Sequence, residues 1–389
     1  MPTSRGFRAS GQGGTGYLGC ASQRSTVSIG TASAIAVEHM STAVQGMHTS
    51  IAESWLNRLG PIAGPAQAVN EAFLRMTYGS VRVVASRLAP VIDAFVDEDS
   101  READRTVAIA ASLWGDTRDT RFERLATTMS ARDATGHLVY PWDGPPEMPT
   151  PRLVVLIHGL SQTDDCWAGT GGLLEHLEAV PNLTAITLRY NAAMPISSNG
   201  EHLDAMLTDL ANRWPIPLES ISLVGYSMGG VVAHHAVAAA ERRDTPWLTY
   251  IDDVISIGSP HGGSRIETAV TRATMALRLA RHTRPLADFF DSRSSGIKDL
   301  HTSMEVQDVP RASTRARYHF IAGGITQNPP NPVGIIAGDL VVHPASAMGP
   351  AHPARGSERL LGGVHHLELV RHPAVVRQVL TWLIDPERP

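Results

Sequence analysis

The feature that most constrains the fold is a serine flanked by small residues, in the stretch Gly225-Tyr226-Ser227-Met228-Gly229. Residues 221–224 form an apolar run typical of a buried strand, and the residues after the stretch are typical of a helix. A strand that turns directly into a helix strains the corner residue, so its neighbours two positions away must be small. The helix N-terminus carries partial positive charge and favours a developing anion there. The pattern therefore predicts Ser227 as a nucleophile above the edge of a sheet.

The rest of the second half of the chain has the pattern of a layered sheet. Apolar runs alternate with segments of helical periodicity, at residues 153–157, 183–188, 221–224, 254–257 and 318–321. A strand that is apolar along its whole length is typical of a parallel sheet buried on both faces. Strands that alternate with helices need crossover connections. We therefore expect an α/β fold with a mostly parallel sheet and helices on both faces.

Two local patterns make sharper predictions. Residues 125–129 and 137–140 are expected to form a β-hairpin at a sheet edge, with a turn at Thr135-Gly136. Ser198 and Glu201 have the spacing of a capping box, which predicts the start of a helix.

The domain organisation is inferred from shifts in composition. Residues 1–39 are rich in Gly, Ser, Thr and Arg and are expected to be a disordered leader or an over-extended gene start, with Met40 or Met47 as the true beginning. A targeting segment and a lipoprotein cysteine at Cys20 are the alternatives. Residues 40–119 have helical spacing and are expected to be a packed helical N-terminal extension, with a hairpin that binds a membrane surface or a partner as the alternative. Residues 120–389 are the expected α/β domain. It includes a helical cap at about 264–312, whose arginines either face solvent or line an acyl groove.

A serine nucleophile needs a base, and position must select it among 17 histidines. In this architecture the chain order is serine, acid, histidine, with the histidine on a loop after the last strand. The stretch at 362–369 is such a loop, and His366 is the preferred base with His365 as the alternative. Leu367 and Leu369 are expected to anchor the following turn in the core.

The acid is expected after the strand that precedes the histidine loop. Asp339 follows the strand at 318–321 and would hold the imidazole tautomer and stabilise the imidazolium. Asp252 and Asp253 come at the start of a strand, at the opposite edge of the sheet, and are expected to be structural.

Two backbone amides are candidates for binding a developing oxyanion. One is that of Leu160, in the loop after the first buried strand, where Gly159 lets the backbone approach a substrate closely. The other is that of Met228, directly after the serine.

Composition excludes several classes of protein. A net charge of -5, from 33 basic and 38 acidic residues, excludes a general basic footprint for nucleic acid. Two cysteines exclude a disulfide scaffold, and no apolar run approaches the ~18 residues of a membrane-spanning helix. HExxH, CxxC and P-loop motifs are absent, so neither a metal nor a cofactor is expected. Lys298 is the only lysine, a bias typical of a high-GC bacterial genome.

The motifs, in their order, resemble those of the α/β-hydrolase superfamily, in its lipase and esterase branch. They are IHGL at 157–160, GYSMGG at 225–230, IGSPHGG at 257–263, GDLVV at 338–342 and GGVHHLEL at 362–369. The resemblance covers roughly residues 120–385 and is strongest to bacterial lipase-like proteins grouped with GPI-inositol-deacylase-type hydrolases. Tyr226 departs from the pattern, because many lipases have histidine before the serine.

The resemblance implies hydrolysis of carboxylic, lipid-like esters through an acyl-serine intermediate and without a cofactor. Two alternatives remain open: acyl transfer to an alcohol other than water by the same triad, and a catalytically silent fold used for binding. The expected partner is a small-molecule ester or lipid and not nucleic acid. Peripheral contact with a lipid surface is a further alternative. We expect a cytoplasmic protein, with export as the alternative, and the sequence indicates no oligomeric state.

Overall fold

The computed structural model describes the region of the α/β sheet most completely. The described residues are 28–56, 64–95, 107–109, 111–112, 127–263, 274–275, 278, 284–291, 294–300, 316–327, 339, 341–348 and 356–384. Within these ranges, no helix is long and apolar enough to cross a membrane.

An eight-stranded sheet organises the domain. In chain order its strands are β1 (Ser130–Asp133), β2 (Leu138–Tyr140), β3 (Arg152–Ile157), β4 (Leu183–Arg189), β5 (Ser220–Tyr226), β6 (Ile251–Ile257), β7 (Arg317–Gly324) and β8 (Glu358–Gly362). Their order across the sheet is β2-β1-β4-β3-β5-β6-β7-β8. β1 pairs antiparallel with β2 and β4, and all other pairs are parallel. The predicted mostly parallel α/β sheet is thus confirmed.

Helices cover both faces of the sheet. The described α-helices are α1 (Ile29–Leu56), α2 (Gly64–Phe95), α3 (Leu173–Glu178), α4 (Ile196–Arg213), α5 (Met228–Arg243), α6 (Arg284–Asp291), α7 (Ser295–Asp299), α8 (Pro344–Ala347), α9 (His366–Leu369) and α10 (Pro373–Ile384). Short 3-10 helices lie at Asp164–Trp167 and Pro246–Thr249.

Strand β3 shows why the central strands are apolar throughout. Successive side chains of a strand point to opposite faces. Leu153, Val155 and Ile157 pack with α4 and α5, while Val154 and Leu156 pack with α3 and α10. Burial of each such side chain contributes about 1.5–3 kcal/mol. β3 and β5 are neighbours at the centre of this core, so the loop after β3 and the serine after β5 begin from a rigid base.

The edge hairpin lies slightly later than the sequence predicts. Its first strand is Ser130–Asp133, whereas residues 127–129 of the predicted strand are irregular and 125–126 lie outside the described residues. Asp133 sets the turn, because its carboxylate accepts bonds from the backbone N–H groups of Thr135 and His137, at 3.1 and 2.9 Å. A short polar strand has little apolar pattern to reveal it.

The capping-box prediction is wrong. Helix α4 begins at Ile196, two residues before Ser198, with Pro195 as its N-cap. The Ile196 N–H instead donates to the carboxylate of Asp299, at 2.8 Å. A partner 103 residues away leaves no local signal in the sequence.

The N-terminal extension begins earlier than predicted. Helix α1 starts at Ile29, inside the range assigned to the leader, while residues 1–27 lie outside the described part of the chain. Helices α1 and α2 form a hairpin, in which the Asp93 carboxylate accepts bonds from the Ser28 hydroxyl and the Gly30 N–H, both at 2.6 Å. Gly46 of α1 lies against Pro285 of α6, so the hairpin contacts the predicted cap. Of that cap, only residues 274–275, 278, 284–291 and 294–300 are described.

Candidate active site

Ser227 occupies a sharp corner between β5 and α5. Its φ of 53° and ψ of −124° are strained for a residue with a side chain. The Ser227 N–H donates to the Ile257 carbonyl at 2.8 Å, which anchors the corner to β6. A Cβ on Gly225 would lie 2.3 Å from the Gly230 nitrogen, and one on Gly229 would lie 2.3 Å from the Ile157 carbonyl oxygen. The small neighbours are therefore required for the turn to close.

His366 approaches the serine from the other side. It is the first residue of α9 and is 5% exposed. Its Nε2 lies 3.0 Å from the Ser227 hydroxyl oxygen, and its Nδ1 lies 2.8 Å from a carboxylate oxygen of Asp339. A proton on Nδ1 satisfies the carboxylate and leaves Nε2 free to accept the serine proton. The structure thus brings together Ser227, Asp339 and His366.

Asp339 is almost completely buried, at 1% exposure. Its second carboxylate oxygen accepts bonds from the N–H groups of Val341 and Val342, at 3.0 and 2.7 Å. The His366 backbone N–H also donates to the Asp339 carbonyl, at 3.1 Å. The acid and the histidine are therefore joined both through side chains and through the backbone.

The alternative histidine faces away from the serine. His365 is exposed, and its Nε2 lies 3.0 Å from the Glu368 carboxylate. Of the two leucines expected to anchor this turn, Leu369 is fully buried, whereas Leu367 is 63% exposed. In the short helix α9, only one of these side chains can face the core.

Tyr226 is a site residue whose role sequence reasoning missed. Its hydroxyl donates to the His366 carbonyl at 2.9 Å, and its ring lies 5.4 Å from the imidazole, centroid to centroid. Burial raises the pKa of Tyr226 well above its usual value, so the hydroxyl keeps its proton. The only sequence signal was the departure from histidine at this position. The contact joins the residue before Ser227 to His366.

The loop of residues 158–161 lies directly against the serine. A Cβ on Gly159 would lie 3.0 Å from the Ser227 Cβ, so this glycine allows the close approach. Leu160 is partly buried against the core, and Met228 is the buried first residue of α5. Both residues predicted to offer amide groups are therefore on segments that adjoin Ser227.

His158 orients this loop. The Tyr190 N–H donates to its Nε2 at 3.4 Å, so its Nδ1 carries the proton and donates to the Gly159 carbonyl at 2.8 Å. The Tyr190 hydroxyl donates to the His158 carbonyl at 2.8 Å, and the two rings stack. Burial lowers the pKa of His158 to about 4, which keeps the ring neutral. In a planar peptide this fixes the direction of the following Leu160 N–H.

The two carboxylates near the start of β6 contact basic side chains of β7. Asp253 is fully buried near the start of β6, where it contacts Arg317 at 2.8 Å and His319 at 3.2 Å. Asp252 contacts Arg317 at 3.3 Å. Within the described ranges, no group of three or more His, Cys, Asp or Glu side chains is arranged to hold a metal ion.

Comparison with known proteins gives one family match. The model of a family described as "Putative serine esterase (DUF676)" matches residues 149–288, which include β3, the serine corner and β6. None of the curated proteins compared matches the chain.

Several solved structures are similar to part of this chain. Lipase BlEst2 of Bacillus licheniformis in its propeptide form is 18% identical, with a TM-score of 0.47 over 63% of this chain and 53% of the lipase. This chain thus spans about half the length of that form. The mature form of the lipase is 18% identical, with a TM-score of 0.43 over 66% and 97% of the two chains. EstA from Clostridium botulinum is 13% identical, with a TM-score of 0.41 over 62% and 89%.

Fold, motif order and family match agree with the resemblance seen in the sequence. Residues 149–288 are thus similar to the putative serine esterase family, and the eight-stranded, mostly parallel sheet has the architecture that the motifs predict.

Proposed function

We propose that the protein hydrolyses carboxylic esters through an acyl-serine intermediate formed on Ser227. The observation that carries this proposal is the hydrogen-bonded series from the Ser227 hydroxyl through His366 to Asp339, with distances of 3.0 and 2.8 Å. A serine hydroxyl is a weak nucleophile unless a base accepts its proton. The same series argues against a catalytically silent fold, because a binding module has no need of it.

The first half of the reaction acylates the enzyme. The Ser227 oxygen attacks the ester carbonyl carbon while His366 Nε2 takes the hydroxyl proton. The carbonyl electron pair moves to the oxygen, and the resulting oxyanion is stabilised by the amides of Leu160 and Met228. The bond to the alcohol oxygen then breaks, and His366 returns its proton to the departing alcohol.

The second half releases the acid. His366 takes a proton from water, the hydroxide oxygen attacks the acyl-serine carbonyl, and the proton returns to the Ser227 oxygen as that bond breaks. Asp339 keeps the neutral imidazole in the required tautomer and stabilises the imidazolium in both halves. The buried carboxylate is held ready for this role by its two backbone N–H donors.

A lipid-like acyl group is the substrate class that we propose. The resemblance of the motifs to those of lipases supports it, and so does an apolar stripe on helix α2. Val69, Phe73, Met76, Val83 and Val84 are all more than half exposed and lie on one side of that helix. Exposed apolar side chains on one side of a helix are typical of contact with lipid or another protein. A peripheral contact with a lipid surface is part of the same proposal.

The test is covalent labelling with a fluorophosphonate probe together with hydrolysis of nitrophenyl esters of graded chain length. Wild-type protein is expected to label and to prefer long acyl chains. Ser227→Ala is expected to abolish labelling and to lower kcat by on the order of 10⁵- to 10⁶-fold. His366→Ala should have a similar effect on kcat, whereas the adjacent His365→Ala should stay within about twofold of wild type, since its partner is the exposed Glu368.

Labelling that persists in Ser227→Ala would overturn the proposed nucleophile. A preference for acetate or butyrate esters would leave ester hydrolysis intact and overturn the lipid-like substrate.

A further inference from the structure

The N-terminal extension reaches the loop beside the serine. Residues 107–109 and 111–112 lie beside the loop of residues 158–161. A cavity of about 30 Å³ lies between the two segments. Its lining includes Val107, Ala108 and Ala111 from the first segment, and His158 and Gln162 from the second. This contact joins a part of the chain outside the esterase family match to the candidate active site.

Ser112 makes the polar link in this contact. It is 2% exposed, and its hydroxyl oxygen accepts a hydrogen bond from the Ser161 N–H at 2.9 Å. Ser161 has a φ of 57°, a conformation that residues with side chains seldom adopt without support. The Ser112 carbonyl in turn accepts a bond from the hydroxyl of Ser294, which is 1% exposed and caps helix α7. Ser112 thus lies between the loop and the cap.

Hydrogen bonds orient both peptide groups of Leu160, the one before it and the one after it. The peptide that joins it to Gly159 is oriented by the His158 side chain, at 2.8 Å from the Gly159 carbonyl. The peptide that joins it to Ser161 is oriented by Ser112. With both planes fixed, the direction of the Leu160 N–H is fixed as well. An oxyanion donor must lie within about 2.7–3.1 Å of the developing charge, so a small rotation of this residue would weaken it.

We propose that Ser112 is a positioning residue for ester hydrolysis, because its hydroxyl holds the loop that presents the Leu160 amide to the oxyanion. The N-terminal extension then contributes to catalysis by positioning the loop beside Ser227. This inference rests on the proposed function. It concerns stabilisation of the transition state and not substrate binding, so its signature is a change in kcat at constant KM.

The test uses the full-length chain with Ser112→Ala. Loss of one complete oxyanion donor typically lowers turnover 10²- to 10³-fold, so a misaligned donor is expected to lower kcat by about tenfold or more, with KM within about twofold. Affinity for a trifluoromethyl ketone, which forms a tetrahedral oxyanion on a serine, should fall by a similar factor. Ser112→Thr keeps the hydroxyl and should restore most of kcat.

The matched control is Ser41→Ala. Ser41 is also a buried serine of the extension, but its hydroxyl donates to the Glu38 carbonyl within the same helix, at 3.0 Å. This variant should keep the wild-type kcat. Ser294→Ala removes the hydrogen bond to the Ser112 carbonyl and should also lower kcat, by a smaller factor than Ser112→Ala. It serves as the second variant if Ser112→Ala does not fold.

Hydrogen exchange supplies a readout that needs no activity. The Ser161 amide should exchange faster in Ser112→Ala than in wild type, and Ser41→Ala should leave its exchange unchanged. Unchanged kcat in Ser112→Ala, or an equal loss in Ser41→Ala, would overturn this inference alone. Wild-type protein that neither labels nor hydrolyses any ester would overturn the proposed function, even with the expected exchange.

Discussion

The serine corner and the loop after β3 face each other across the candidate site, yet they are held in different ways. The corner is a contiguous strand and helix, in which Gly225 and Gly229 let backbone pack against backbone. The loop is held by side chains from distant positions, since Tyr190 and Ser112 are 32 and 49 residues from their respective loop partners. The corner thus depends mainly on close contacts between backbone segments, whereas the orientation of the loop depends on side chains of distant residues. The three expected outcomes below test that division.

The largest of these three effects is expected for Asp339, which also reaches the site from a loop. Asp339→Asn can still accept the bonds from Val341 and Val342 through its amide oxygen, so the loop should keep its structure. Its NH₂ group would face His366 Nδ1 and favour the wrong tautomer, and kcat should fall by about 10⁴-fold. Steady-state hydrolysis of a nitrophenyl ester measures this.

Asp252→Asn is the matched control for this variant, because its carboxylate contacts Arg317 near the start of β6. Its kcat should stay near that of wild type. A loss below tenfold in Asp339→Asn would show that the loop side of the site matters less than the corner.

The serine corner should be destabilised by a Cβ atom added at Gly229. In Gly229→Ala the new Cβ would lie 2.3 Å from a backbone oxygen of Ile157, which cannot move without disturbing β3. We expect a loss of about 3 kcal/mol in the free energy of unfolding, measured with urea. Gly79→Ala is the control, since its added carbon in the middle of α2 would meet no described atom within 4 Å apart from its chain neighbours and the adjacent helix backbone.

Gly79→Ala should instead stabilise the protein by about 0.5–1 kcal/mol, because alanine is the better helix former. Equal stability in the two variants would contradict the claim that the corner depends on backbone packing.

The dependence of the loop on the His158 side chain should appear in how the free energy of unfolding varies with pH. The pKa of His158 falls from 6.5 to about 4 on folding, so the unfolded chain binds this proton first as the pH decreases. As the pH falls from about 6.5 to about 4, the free energy of unfolding should therefore decrease. His158 accounts for about 3 kcal/mol of this decrease at most. Urea unfolding at a series of pH values measures the slope.

In His158→Asn that slope should become shallower. The exposed His202→Asn serves as the control and should keep the wild-type slope. Identical slopes in both variants would mean that His158 does not hold the loop as a neutral ring.

The sequence predicted what contiguous residues determine. Ser227 and the parallel strands could be placed because each depends on apolar runs and on glycines one or two positions away. Asp339 and His366 were selected by chain order and loop position, and the structure brings them within hydrogen-bond distance. The division of Leu367 and Leu369 between solvent and core was not predicted, because a short helix leaves no period to read.

What escaped prediction depends on distant partners. The start of α4 is set by Asp299, the orientation of the loop by Tyr190 and Ser112, and the position of the His366 backbone by Tyr226. A single sequence carries no signal for such contacts, since each residue type has many local uses.

The double connection between Asp339 and His366 has a mechanical consequence. Because a backbone bond at 3.1 Å accompanies the bond between their side chains at 2.8 Å, the two residues are coupled as one unit. A displacement of α9 that withdrew the imidazole from Ser227 would carry the carboxylate with it. The tautomer of the His366 ring therefore depends on a contact within this pair and not on the position of Ser227.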